Sequence, residues 1–138
     1  MDPKRASERT TRPFVGYLTP TLSDSVSLTL WSGIVDAAAQ VGINLIAVVG
    51  GRLDAQNEAP DPATLLYRWV GADPFKGLIS WASAIGGTSS PEAIERFHQR
   101  YQDLPMVGLG APVQGAPMLV IDSYHGMREA VEHLIDTH

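Results

Sequence analysis

Apolar residues in this chain fall into short unbroken runs, separated by longer stretches in which they recur at helical spacing. The first run, Phe14-Val15-Gly16-Tyr17-Leu18, reads as a strand that ends at the turn-prone Thr19-Pro20-Thr21. From Ser23 a long helix follows, with Leu30, Trp31, Ile34, Val35, Ala38 and Val41 inward and Gly42 as its stop. Ile43 to Val49 is almost wholly apolar, the pattern of a strand covered on both faces. Gly50-Gly51-Arg52 opens a polar loop that runs to about Pro62, and Leu65, Leu66, Trp69 and Val70 mark a second helix. A third strand, Gly77 to Trp81, ends in a small-residue loop from Ala82 to Ser90. Ser90-Pro91-Glu92 then starts a third helix, proline suiting the first helical position. Its buried stripe is Ile94, Phe97 and Tyr101, while Glu92, Glu95, Arg96 and Arg100 face out. Pro105 to Leu109 is the fourth strand.

The last segment packs strand, polar cap and helix into few residues. Met118-Leu119-Val120-Ile121 is a β run that breaks at Asp122-Ser123, either of which can accept from the first free helix N–H groups. Met127, Ala130, Val131, Leu134 and Ile135 then follow at helix spacing. The order β-α-β-α-β-α-β-β-α predicts an α/β fold, an open doubly wound and mostly parallel sheet of about five strands. The expected strand order is 2-1-3-4-5, with helices on both faces. One joint is unusual: Gly110 to Pro117 links the fourth and fifth strands with no helix, fewer residues than a parallel crossover usually takes. The fifth strand is therefore expected at an edge, or the sheet is completed by further chain.

Composition narrows the class. A chain of 138 residues, 44% hydrophobic and 18% charged, is long enough for one domain with a real core. A net charge of −5 argues against a nucleic-acid-binding surface. The one basic cluster, Lys4, Arg5, Arg9 and Arg12, reads as a disordered solvated tail over residues 1–12, leaving residues 13–138 as a single lobe. No cysteine is present, which removes disulfides and thiol chemistry and fits a reducing compartment. Without a membrane-length apolar run or a secretory pattern in residues 1–12, the expected location is cytoplasmic.

In open parallel sheets, ligands bind beyond the carboxyl ends of the strands. Four places there carry chemistry. The loop Thr19 to Ser27 is rich in hydroxyls and precedes a helix, but it lacks the glycine that close approach to a phosphate needs. A neutral sugar or polyol, met by Asp24 and Ser25, matches it better than a flavin phosphate; plain helix capping accounts for at least one of Ser23, Asp24 and Ser25. Arg52 follows the second strand, either as a fork for carboxylate, phosphate or vicinal hydroxyls or as a solvated arginine. Trp81 ends the third strand, where it can stack on a sugar face or simply close the core. Asp122 and Ser123 follow the fifth.

Enzyme motifs are missing. There is no G-x-S-x-G elbow and no G-x-G-x-x-G after the first strand. The acidic positions of a receiver domain hold Thr19-Pro20 and Ser80-Trp81, and Asp122 to Gly126 has the wrong spacing for a cobalamin-type Asp/His motif. His98, His125, His133 and His138 show no metal-ligand spacing and are expected on the surface, Glu129 and His133 as a surface pair. No metal, cofactor or catalytic residue is expected.

Three segments in register carry a family likeness. VGYLTPTLSDSVSLTLWSGIVDAAAQVG, FKGLISWAS and LVIDSYHGMREAVEHLI together resemble the amino-terminal lobe of a LacI/GalR-type sugar-sensing domain, the type I periplasmic-binding-protein fold. The likeness covers Pro13 to the end. It implies a ligand set of Thr21, Asp24, Ser25, Ser27, Arg52, Trp81, Ser83, Asp122 and Ser123, with Gly110 in the loop after the fourth strand. Ser123 replaces the asparagine of the family's Asp-Asn pair, and residues 1–12 hold no helix-turn-helix. The family continues into a second lobe that closes over the ligand, and no second lobe is expected here. The resemblance implies a non-enzymatic sensor fragment of a transcriptional regulator or signalling protein, for a sugar or nucleoside class of ligand. It also implies a homodimer through the first helix, where Leu28, Leu30 and Trp31 widen the apolar surface. A ligand-free dimerisation module and a flavodoxin-like FMN electron carrier are the alternatives.

Overall fold

The computed structural model describes residues 12–53, 62–71 and 73–137; most of the expected basic tail and most of the loop after Arg52 lie outside the described residues. Strand β1 (Phe14–Thr19) leads through helix α1 (Ser25–Val41) into β2 (Asn44–Val49). A 3₁₀ helix (Pro62–Trp69) precedes β3 (Phe75–Ser80), followed by α2 (Ala82–Gly86) and α3 (Pro91–Gln99). Then come β4 (Met106–Leu109), β5 (Met118–Leu119) and α4 (Ser123–Thr137). The five strands form one all-parallel sheet in the order β2-β1-β3-β4-β5, as the order of elements predicts.

The β4–β5 joint has a simple geometric explanation. The two strands pair only at Gly108↔Met118 and Leu109↔Leu119, so the returning chain retraces about two residues, roughly 7 Å, rather than a whole strand. Gly110 to Pro117 is long enough for that, and β5 ends up at the edge of the sheet.

Alternation along β1 feeds both faces. Leu18 points into a buried cluster with Tyr67, Val70, Phe75, Leu78, Ile85, Phe97 and Tyr101, which the 3₁₀ helix, α2 and α3 cover. Each such side chain contributes about 2 kcal/mol of burial. Within the cluster Phe97 meets Tyr67 and Tyr101 edge-on at 5.1 and 5.6 Å. On the opposite face Tyr17 is fully buried and stacks on Trp31 of α1, ring centroids 5.9 Å apart. Helix α1 ends where expected, at Gly42 in the left-handed region (φ 71°), and Ser90 caps α3 by accepting from the Ala93 N–H.

Four details depart from the sequence expectation. The second helix is 3₁₀, so residues three apart share a face. Tyr67 and Val70 are buried in consequence, while Leu65, Leu66 and Trp69 are exposed. In α1, Val35 and Val41 are exposed rather than inward. The small-residue loop after β3 contains α2, a helix too short for any periodic signal. Most of all, the apolar stripe of α4 is uncovered: every described residue of α4 is exposed.

Candidate functional site

The carboxyl edge of the sheet gathers four loops, and specific contacts hold them together. After β1, the Thr19 hydroxyl donates to the Thr21 carbonyl at 2.9 Å, and the Thr21 and Ser23 hydroxyls lie 2.6 Å apart. Asp24 then caps α1. Its Oδ1 accepts from the Ser27 N–H at 2.9 Å, and the Ser27 hydroxyl accepts from the Asp24 N–H at 3.2 Å, a reciprocal capping box. The hydrogen bond from the Ser27 N–H keeps the Asp24 carboxyl below its usual range, so an exposed carboxylate stands at the head of the helix. Ser25 is exposed beside it, whereas Ser27 is fully buried and its hydroxyl also donates to the Asp24 carbonyl at 2.9 Å.

The β1 and β2 loops are joined from beneath by Tyr67. Its buried hydroxyl lies 2.9 Å from both the Thr19 and Gly51 carbonyl oxygens and shares its proton between them. Gly50 must lack a side chain, because a Cβ there would collide with the Tyr67 ring. Burial pushes the Tyr67 phenol well above its ordinary range. The β2 loop is tied in turn to the β3 loop: the Leu53 N–H donates to the Ile85 carbonyl at 2.8 Å, and the Ser89 hydroxyl donates to the Leu53 carbonyl. Arg52, exposed, lies with its stem beside Gly87; a Cβ there would sit 3.4 Å from Arg52 Cδ.

Trp81 is half-buried at the end of β3, its N–H donating to the Leu18 carbonyl at 2.9 Å and its carbonyl accepting from the Ile85 N–H at 2.9 Å. Ser83 is exposed and leans against Gly110, the β4 loop glycine, which adopts φ 74°; a Cβ at Gly110 would strike Ser83 Oγ. The structure therefore brings Thr21, Asp24, Ser25, Arg52, Trp81 and Ser83 to one edge. Asp122 and Ser123 stand apart, at the start of the uncovered α4. There Asp122 accepts from the His125 N–H at 3.1 Å and pairs with His125 Nδ1 at 2.7 Å, both side chains exposed.

His98, expected on the surface, is buried. Its Nδ1 is 2.8 Å from the Ile94 carbonyl, which can only accept, so Nδ1 carries the proton and Nε2 accepts from the Ser80 hydroxyl at 2.8 Å. Desolvation lowers the His98 pKa, favouring the neutral ring. Ser80 has no accessible surface, so the pair works as a core hydrogen bond. The signal was present in the sequence: Ile94, Phe97, His98 and Tyr101 stand at i, i+3, i+4 and i+7. His125 and His133 are exposed, and His138 lies outside the described residues.

Three clefts lie away from the carboxyl edge. One of about 500 Å³ is bordered by His98, Tyr101 and the loop around Gly115. One of about 520 Å³ flanks Pro105 and Pro117, and an apolar groove of about 610 Å³ runs beside α1. Among the described residues no three His, Asp or Glu side chains converge as metal ligands, and no helix is long and apolar enough to cross a membrane. No family model, curated protein or solved structure matches the chain.

Proposed function

We propose that this chain is a ligand-sensing lobe of a regulatory protein, non-enzymatic, that meets a small polar ligand of the sugar or nucleoside class at the carboxyl edge of its sheet. The observation that supports the reading is the convergence there of an exposed helix-capping carboxylate, an exposed arginine and a half-buried tryptophan on loops fastened to one another. Asp24 accepts from ligand hydroxyls; Arg52 donates to vicinal oxygens; Trp81 offers a ring face. The Asp24 carboxylate already occupies the positive end of α1, which disfavours a phosphate at that point. Among the described residues these loops form a shelf, and a second lobe closing over it would complete the grip.

A thermal-shift series with sugars, polyols, nucleosides and phosphorylated metabolites tests it, because a ligand stabilises whichever state it binds. One chemical class should raise the melting temperature dose-dependently, and Arg52→Ala and Asp24→Asn should abolish the rise. A cooperative melt unmoved by every compound, both alone and in a longer chain carrying a following lobe, would leave only a dimerisation module. Flavin absorbance in the purified protein would move the assignment to an electron carrier.

A further inference from the structure

We propose that helix α4 of one chain seats in the apolar groove beside α1 of a second copy, the two copies exchanging their helices reciprocally about a twofold axis. This stands apart from the ligand-sensing reading and uses none of its residues. At 100° per residue, Tyr124, Met127, Ala130, Val131, Leu134 and Ile135 fall within roughly 140° of the α4 circumference. Arg128, Glu129, Glu132 and Asp136 occupy the other side, with Arg128 and Glu132 paired at 2.7 Å. Yet the large apolar members of that stripe are 47–74% exposed. A lone helix of 15 residues is marginal in water, and its stripe calls for a partner.

The groove has the matching form. Its walls include Leu30, Ile34 and Val41 of α1 and Ile79, Val107 and Leu119 of the sheet. Along α1 it extends from Thr29 to Val41, roughly 18 Å; the stripe from Tyr124 to Ile135 covers roughly 17 Å. Asp36 is the one charged residue of α1 and does not line the groove, so no charge meets the apolar stripe.

Position favours exchange between copies. In this structure α4 stands clear of its own sheet, and only Val120 to Asp122 separates it from Leu119, which is itself a wall of the groove. A helix leaving from the rim of one groove is placed to enter a twin groove facing it, and the operation closes on itself. Each helix-in-groove contact removes on the order of 1,000 Å² from water, and the reciprocal pair on the order of 2,000 Å², the size of a stable interface; a single contact falls short.

The test is light scattering of the full chain over a concentration series. The expected mass is twice the 14.9 kDa of one chain. Val131→Asp on the stripe and Gly33→Glu in the groove should each weaken the dimer by at least ~100-fold. Both positions are exposed, and a Cβ at Gly33 meets nothing within 4 Å, so both variants should keep the wild-type circular dichroism and cooperative melt. Leu28→Glu, which is not part of the groove lining, should stay dimeric. A wild-type monomer would overturn the proposal, and its α4 amides would then say where the helix goes: protected from exchange, it packs on its own sheet. A dimer that survives Val131→Asp and Gly33→Glu but not Leu28→Glu would overturn it in favour of the outer flank of α1. Absence of ligand binding in the same samples bears only on the sensing reading.

Discussion

Removing one oxygen atom from Tyr67 should loosen the carboxyl edge more than it loosens the core. Tyr67→Phe keeps the ring, and with it the edge-on contact to Phe97, so no cavity opens. What is lost is the hydroxyl that bridges the Thr19 and Gly51 carbonyls. The Thr19 carbonyl retains a second donor, the Gly50 N–H at 3.1 Å. Gly51 bears the larger loss. A net hydrogen bond is worth about 1 kcal/mol, and an under-satisfied acceptor adds to that, so the variant should lose about 1.5 kcal/mol, roughly a tenfold change in the folding equilibrium. For a chain of this length that corresponds to a fall in Tm of about 5 °C. Urea denaturation with an unchanged m-value measures it. Amide exchange locates it, with the Gly50 and Leu53 amides losing protection before those of α3. A Tyr67→Phe variant within about 0.3 kcal/mol of wild type would refute the bridge, as would a loss spread evenly over the sheet.

Three further outcomes follow from buried groups. Among the described residues the buried Tyr17 hydroxyl meets no partner at hydrogen-bonding geometry. Tyr17→Phe, which retains the stack on Trp31, should therefore be neutral or stabilising in urea, within about 0.5 kcal/mol. Phe97→Ala removes the ring at the centre of the aromatic cluster and should cost about 4 kcal/mol, enough to abolish a cooperative melt. His98 stays neutral in the fold to a lower pH than in the unfolded chain, where its value is 6.5. Between those two values the unfolded state binds more protons, so stability is fully present above about pH 6.5 and is lost as pH falls toward the depressed native value. Melting temperatures at pH 7.5 and 5.5 should show that decline, and His98→Gln should flatten it; a profile unchanged by the substitution would place the titration elsewhere.

The sheet was legible because each strand is a compact apolar run bounded by turn residues, and because helix signals such as Gly42 and Ser90-Pro91 are local. What escaped notice depended on partners remote in sequence. His98 could have been placed inward from its position on the apolar face of α3, but its partner Ser80, 18 residues away, could not be named, and the inward turn of Tyr67 rests on a 3₁₀ twist that a 3.6-residue period cannot register. The stripe of α4 was readable as a stripe, but periodicity says only that a face is apolar, never what covers it. At the candidate site, the capping role of Asp24 was open to sequence reasoning. The meeting of Arg52 with Gly87 and of Ser83 with Gly110 was not, since it joins loops that only the folded sheet makes neighbours.

The three tryptophans sit in three different settings, and this divides the chain optically. Trp69, 84% exposed on the 3₁₀ helix, emits as though in water whether the chain is folded or not. Trp31, stacked on Tyr17, registers the docking of α1 on the sheet. Trp81 stands half-buried at the carboxyl edge, where any molecule resting on the loops would alter its surroundings. With Trp69 replaced by phenylalanine, the remaining emission becomes an intrinsic two-channel record, one ring reporting the fold and the other the shelf, with no label attached.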